Sequence, residues 1–108
     1  MQIIVKGLKG FDIYPENKEY VEKKFSKYCD MVKEPAIFEF AFEHTHKTRA
    51  NIDKVVHLTF TMAGLKNPEH LEEVSEHFTE SVDKLDARFE EFIRRHREKE
   101  QDKIKRGI

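Results

Sequence analysis

A chain of 108 residues, 38% hydrophobic and 38% charged, carries enough apolar side chains for one small core under a densely charged skin, and not for two. Its charges nearly cancel, 20 Lys and Arg against 21 Asp and Glu for a net −1, which excludes nucleic-acid binding through a uniformly basic surface and leaves local patches as the electrostatic route. A single cysteine, Cys29, excludes an internal disulfide; no apolar run reaches the ~18 residues of a membrane span, and MQIIVKGLKG lacks the features of a secretory leader, so the expected location is cytoplasmic.

Gln2 to Lys6 reads as a strand ended by Gly7, with Ile3 and Val5 on one face and Gln2, Ile4 and Lys6 on the other. A connector with two glycines follows, and Pro15 sits where a helix can open. From Glu16 to about Met31 the apolar positions Val21, Phe25, Tyr28 and Val32 recur at steps of four, three and four, which predicts a helix. Pro35 stops any continuation. AIFEFAFEHT then alternates, with Phe38, Phe40 and Phe42 on one face, and KVVHLTFTM places Val56, Leu58, Phe60 and Met62 inward. Two such strands in succession suggest an antiparallel pair with one solvated face. The polar stretch between them, His44 to Asp53, reads as a loop at one end of the sheet.

The run from Asn67 to about Glu100 predicts a long second helix. Asn67 is placed to cap it, Pro68 occupies the first position, and Leu71, Val74, Phe78, Val82, Leu85, Phe89, Phe92 and Ile93 form an apolar stripe. Every charge from Glu69 to Asp83 is acidic, and Arg94, Arg95, Arg97 and Lys99 crowd the far end, an order that complements a helix dipole. This leaves little room for a fourth strand. The predicted class is α+β, ordered β-α-β-β-(β)-α: an antiparallel sheet with two helices on one face, the fourth strand short or absent, and a long C-terminal helix. Residues 1–100 would form one domain and 101–108 a basic flexible tail.

Catalytic chemistry finds little to work with. Gly7 and Gly10 belong to no phosphate-binding loop, and Ser26, Ser75 and Ser81 all fall inside predicted helices. No pair of carboxylates has surroundings that would drive two pKa values apart. His44 and His46 could share a metal with His57 or His70, but histidines at strand ends are ordinarily solvated, so no metal, cofactor or enzymatic activity is expected. Binding is better represented. Lys23, Lys24 and Lys27 share a surface of the first helix, and Lys84, Arg88 and Arg95 follow at four and seven along the second. If the helices lie side by side, the two rows form a cationic strip of the kind that contacts phosphates. Lysines on amphipathic helices are more often simply solvated.

MQIIVKG, then EYVEKKFSKYCDMV, resembles the opening of the ribosome hibernation-promoting factor and ribosome-associated inhibitor family. VHLTFTMAG is similar to that family's third strand and SVDKLDARF to its final-helix signature, so the resemblance spans nearly the whole chain. It implies a β-α-β-β-β-α domain that occupies the mRNA and tRNA channel of the small ribosomal subunit and silences idle ribosomes under stress, through basic residues on both helices. Lys23, Lys24, Lys27 and Lys84 carry over directly and Arg88 more loosely. The chain departs from the family pattern at Glu73-Val74-Ser75, where a tyrosine is missing, at Ala87, Glu90 and Glu91, and at Asn67-Pro68-Glu69, which displaces the fourth strand. Arg94 and Arg95 would restore charge further on, with Lys47 and Arg49 of the loop as accessories.

The expected role is a non-enzymatic factor, monomeric off the ribosome, whose partners are the small subunit and its rRNA rather than a membrane or small molecule. Two alternatives stand beside it: a double-stranded RNA binder independent of the ribosome, and a protein-interaction module using the acidic half of the long helix.

Overall fold

The computed structural model describes residues 1–45 and 51–106, with side chains as far as residue 99 in the last helix. The elements are β1 (Gln2–Gly7), α1 (Pro15–Phe25, followed by a single 3-10 turn, Ser26–Tyr28), β2 (Ala36–His44), β3 (Lys54–Met62), β4 (Glu69–Ser75) and α2 (Phe78–Arg106). The sheet order is β1-β2-β3-β4.

β2, β3 and β4 run antiparallel, as the alternating patterns suggest, but β1 is parallel to β2, with Ile3 opposite Phe38 and Val5 opposite Phe40. The sheet is therefore mixed rather than purely antiparallel. A parallel neighbour needs a crossover, and α1 supplies it. Alternation reports which face a side chain occupies and carries no information on strand direction.

Register sets one face of the sheet as a continuous apolar plane, in which Phe38 pairs with Phe60, Phe40 with Leu58, and Leu58 in turn with Leu71. Both helices cover that face. From α1, Phe25 meets Phe40 edge-on at 4.7 Å between ring centroids. From α2, Phe89 lies 5.0 Å from both Phe38 and Phe60 and 4.7 Å from Tyr28. Phe89 is fully buried and touches rings from α1, the 3-10 turn, β2, β3 and its own helix.

Two corrections concern the long C-terminal run. Residues 69–75 form a seven-residue strand, paired with β3 from Lys54↔Ser75 to Phe60↔Glu69, and not the first two turns of a helix. Leu71 and Val74, three apart, fit a helical stripe equally well; in the strand they lie on opposite faces, Leu71 opposite Leu58 and Val74 opposite Val55. Pairing decides the matter, because β3 would otherwise bury a row of backbone donors and acceptors without partners. Ser75, buried at the strand's end, shares a hydrogen bond of 2.9 Å with Ser81, whose hydroxyl donates to the Lys54 carbonyl at 2.7 Å. That link fixes where the strand stops and α2 begins. The acidic helical face proposed for protein docking is thereby divided, since Glu69, Glu72 and Glu73 belong to β4. At the other end α2 continues to Arg106, through residues read as a tail.

The N-terminal turn is equally specified. A Cβ at Gly7 would stand 1.8 Å from the Phe11 carbonyl oxygen, and Lys9 and Gly10 take φ values of 52° and 80°.

Phe89→Ala is expected to lower the free energy of unfolding by about 3–5 kcal/mol, read from urea denaturation, with a much smaller loss for Phe89→Leu.

Candidate nucleic-acid interface

α1 turns Val21 and Phe25 into the core, which leaves Lys23 on its outer side and sets Lys24, with Lys27 of the 3-10 turn, along the edge toward α2. α2 buries Val82, Leu85, Phe89 and Ile93, and the same periodicity aims Asp83 and Asp86 at α1. The seam between the helices is consequently polar. The Tyr20 hydroxyl donates to Asp83 Oδ1 at 2.6 Å, and Lys24 Nζ stands 3.4 Å from the same oxygen. One turn on, Lys27 Nζ is 2.9 Å from Asp86 Oδ2, while the Tyr28 hydroxyl donates to the Asp86 carboxylate and lies 3.2 Å from its carbonyl oxygen. The ammonium groups also sit over aromatic faces, Lys24 at 5.6 Å from the Tyr20 ring and Lys27 at 5.2 Å from that of Tyr28.

The two rungs differ in depth. Asp83 is exposed, whereas Asp86 and Tyr28 are buried. The hydrogen bond to Asp83 pushes the Tyr20 phenol up to about 12. Tyr28 is pushed up further, first by burial and then by its hydrogen bond to Asp86.

The sequence-predicted basic residues therefore separate into groups. Lys23 and Lys84 are exposed and make no ion pair among the described residues. Lys24 and Lys27 are held by carboxylates in the seam. Arg88 points the other way, toward β4, with Nη1 2.8 Å from Glu73 Oε2 and 3.0 Å from the Glu72 carbonyl oxygen. Arg95 lies on that same side, in an open groove lined by Leu65, Leu71 and Phe92. Its Nε donates to Glu91 at 2.9 Å, and Arg94 pairs with the same carboxylate. Arg94 instead borders a depression beside Met31 on the α1 side. Lys84, Arg88 and Arg95 thus do not join the α1 lysines in one uninterrupted cationic strip. Lys47 and Arg49 lie outside the described residues.

Sequence reasoning overlooked Asp83, Asp86, Tyr20 and Tyr28 as a unit. Its trace was the matched spacing, acids three apart on α2 against lysines three apart on α1, but only the helix packing brings those rows together.

The opposite face of the sheet is solvated only in part, with Ala41, Glu43 and Val55 buried on it, and carries a second polar chain. Lys9 is 2.7 Å from Glu43, whose other oxygen meets His57 Nε2 at 3.0 Å; His57 Nδ1 reaches Glu72 at 3.1 Å. Lys9 and His57 together hold the Glu43 carboxyl below the usual range for its type. His70 shares a hydrogen bond with Thr59 at 3.1 Å, and His44 meets Asp53 at 2.8 Å. Among the described residues no three such groups converge as metal ligands, and none of the described helices is long and apolar enough to cross a membrane.

Four strands in the order just described, with two helices on one face and a β-α-β-β-β-α sequence, define the class that the family resemblance implies. Two solved structures share it. One is a ribosomal subunit interface protein from Coxiella burnetii, with a TM-score of 0.69 and 21% identity over 90% of this chain and 98% of that one. The other is the N-terminal domain of Protein Y from Thermus thermophilus, with a TM-score of 0.71 and 18% identity over 89% of this chain and 99% of that one. No family model and no curated protein matches the chain. At these identities the likeness is one of fold.

Asp86→Ala removes the carboxylate that accepts from the buried Tyr28 hydroxyl and pairs with Lys27, leaving the hydroxyl only the backbone carbonyl of residue 86 at 3.2 Å, and is expected to lower stability by about 1–3 kcal/mol, whereas Lys23→Gln should stay within about 0.5 kcal/mol. Thermal and urea unfolding of the two variants separate these outcomes. A depressed carboxyl pKa stabilises the fold above its ordinary value and loses that contribution as pH falls through the depressed one. The stability difference between wild type and Glu43→Gln is therefore expected to be present at pH 7 and to shrink below about pH 4.5, measured by denaturation at a series of pH values.

Proposed function

We propose that this chain is a non-enzymatic ribosome-binding factor of the hibernation-promoting type, which docks on the small subunit through rRNA phosphates and silences translation from the mRNA and tRNA channel. The observation that carries this reading is the near-complete overlap of its fold with two proteins, one of which is named for the ribosomal subunit interface. The α1 and α2 lysines carried over by resemblance add to it, because Lys23 and Lys84 are exposed and have no ion-pair partner among the described residues. With a net charge of −1, attraction to RNA depends on such local cations and not on the molecule's overall field. A ribosome partner places the protein in the cytoplasm, acting as one domain without small-molecule cofactor. Lys24, Lys27, Arg88, Arg94 and Arg95 serve as secondary contacts, available to the extent that their carboxylate partners release them, with Lys47 and Arg49 as loop accessories.

Double-stranded RNA read by shape is the competing nucleic-acid reading. It predicts that a plain duplex competes as well as the small subunit does.

Co-sedimentation with isolated small subunits is expected to retain the protein at low salt and release it as salt rises. The double variant Lys23→Glu/Lys84→Glu should bind at least tenfold more weakly, with a salt slope smaller by about two, since each phosphate contact contributes about 0.9. Unchanged affinity in a folded double variant would remove this surface from the interface.

A further inference from the structure

The α1–α2 seam contains more than a set of packed side chains. Its outer rung consists of Lys24, Asp83 and Tyr20, with the lysine and aspartate side chains 37% and 49% exposed and 3.4 Å apart. Its inner rung consists of Lys27, Asp86 and Tyr28, with Lys27 2.9 Å from a carboxylate only 12% exposed. We infer that Asp83 competes with phosphate for Lys24 and so sets how tightly this surface holds RNA, whereas Asp86 belongs to the fold. The inference rests on the reading of the helices as an RNA-binding surface.

The asymmetry follows from what each carboxylate keeps when its lysine leaves. Asp83 retains the Tyr20 hydroxyl at 2.6 Å and its exposure to water, so Lys24 is free to swing outward to a phosphate without stranding a charge. Nothing in the core moves. Lys27 has no such freedom, because its departure would leave a buried carboxylate with only the Tyr28 phenol and no counter-charge. Tyr28 is itself 2% exposed and packed edge-on against Phe89, which ties the inner rung to the core. After Lys24 has exchanged partners, Asp83 remains in the seam, an exposed negative charge beside the place Lys24 has left. It opposes every phosphate contact made there. Partners that offer a few loosely placed phosphates are penalised, and those that engage several cations at once are retained.

Lys23, adjacent in sequence but on the outer side of α1 and without an ion pair among the described residues, stands outside this competition. It provides the control that separates failure of the inference from failure of the binding surface.

The experiment measures dissociation constants for isolated small ribosomal subunits at two salt concentrations, using wild type, Asp83→Asn, Lys24→Gln, the double variant Lys24→Gln/Asp83→Asn, and Lys23→Glu/Lys84→Glu. Asparagine keeps an acceptor for Tyr20, and thermal unfolding of each variant confirms that the seam is intact. The expected result is binding roughly two- to fivefold tighter for Asp83→Asn, most of which disappears in the Lys24→Gln background. Equal tightening in both backgrounds would overturn the competition for Lys24, leaving only a bulk charge effect. Unchanged or weaker binding by Asp83→Asn, with Lys23→Glu/Lys84→Glu still impaired, would overturn the role of Asp83 while leaving the binding surface in place. If Lys23→Glu/Lys84→Glu binds as wild type does, the surface is wrong and the inference falls with it.

Discussion

The burial of Phe89 is the constraint on which the rest of this molecule depends. Its ring is enclosed by Phe25, Tyr28, Phe38, Phe60 and Phe92, so one side chain on α2 ties that helix to α1, the 3-10 turn and two strands. A core this small has no second layer to absorb an error in packing. Once Phe89 is seated, the rotation of α2 about its axis is fixed, and with it the directions of Asp83 and Asp86 toward α1 and of Arg88 toward β4. The polar surface is a consequence of the apolar one.

That coupling explains why the charge pattern cannot be read residue by residue. Lys23, Lys24 and Lys27 look available in the sequence, yet the last two meet carboxylates supplied by a helix about 60 positions away. The seam also dispenses with the usual apolar contact along its outer edge. Tyrosine serves there because its ring supplies apolar surface beneath a lysine stem while its hydroxyl satisfies an aspartate.

Much of the fold was legible in the sequence where one period dominated. Phe38, Phe40 and Phe42, and Val56, Leu58, Phe60 and Met62, alternate without ambiguity, and all are buried. The start of α1 was legible from Pro15 and its core face from Val21 and Phe25, but not its end: the helix expected to reach about Met31 gives way after Phe25 to a single 3-10 turn. β4 was not, because Leu71 and Val74 satisfy a helical repeat, and because the residues that decide the matter are the backbone groups of β3, distant in sequence. The direction of β1 was hidden for a similar reason. Of the candidate site, the exposure of Lys23 and Lys84 followed from helical periodicity, but the partners of Lys24, Lys27 and Arg88 are tertiary facts. No local signal shows which of two oppositely charged rows will face each other.

The last helix has an anchored part and an unanchored one. Ile93 is the final buried residue described on it, and from Arg94 to Arg106 the backbone continues for about 20 Å beyond the core. A segment of that length would be a marginal helix alone, since its nucleus is costly and its length short. Here the nucleus is provided free by the packed turns around Phe89, and the distal turns merely propagate it. The helix thus behaves as a cantilever: its stiffness at the tip is borrowed from its root. Loosening the core would be felt first as fraying at the tip some 20 Å away, and would work back through Lys99, Arg97, Arg95 and Arg94, which lie within about 10 Å of Ile93, before the sheet lost its register.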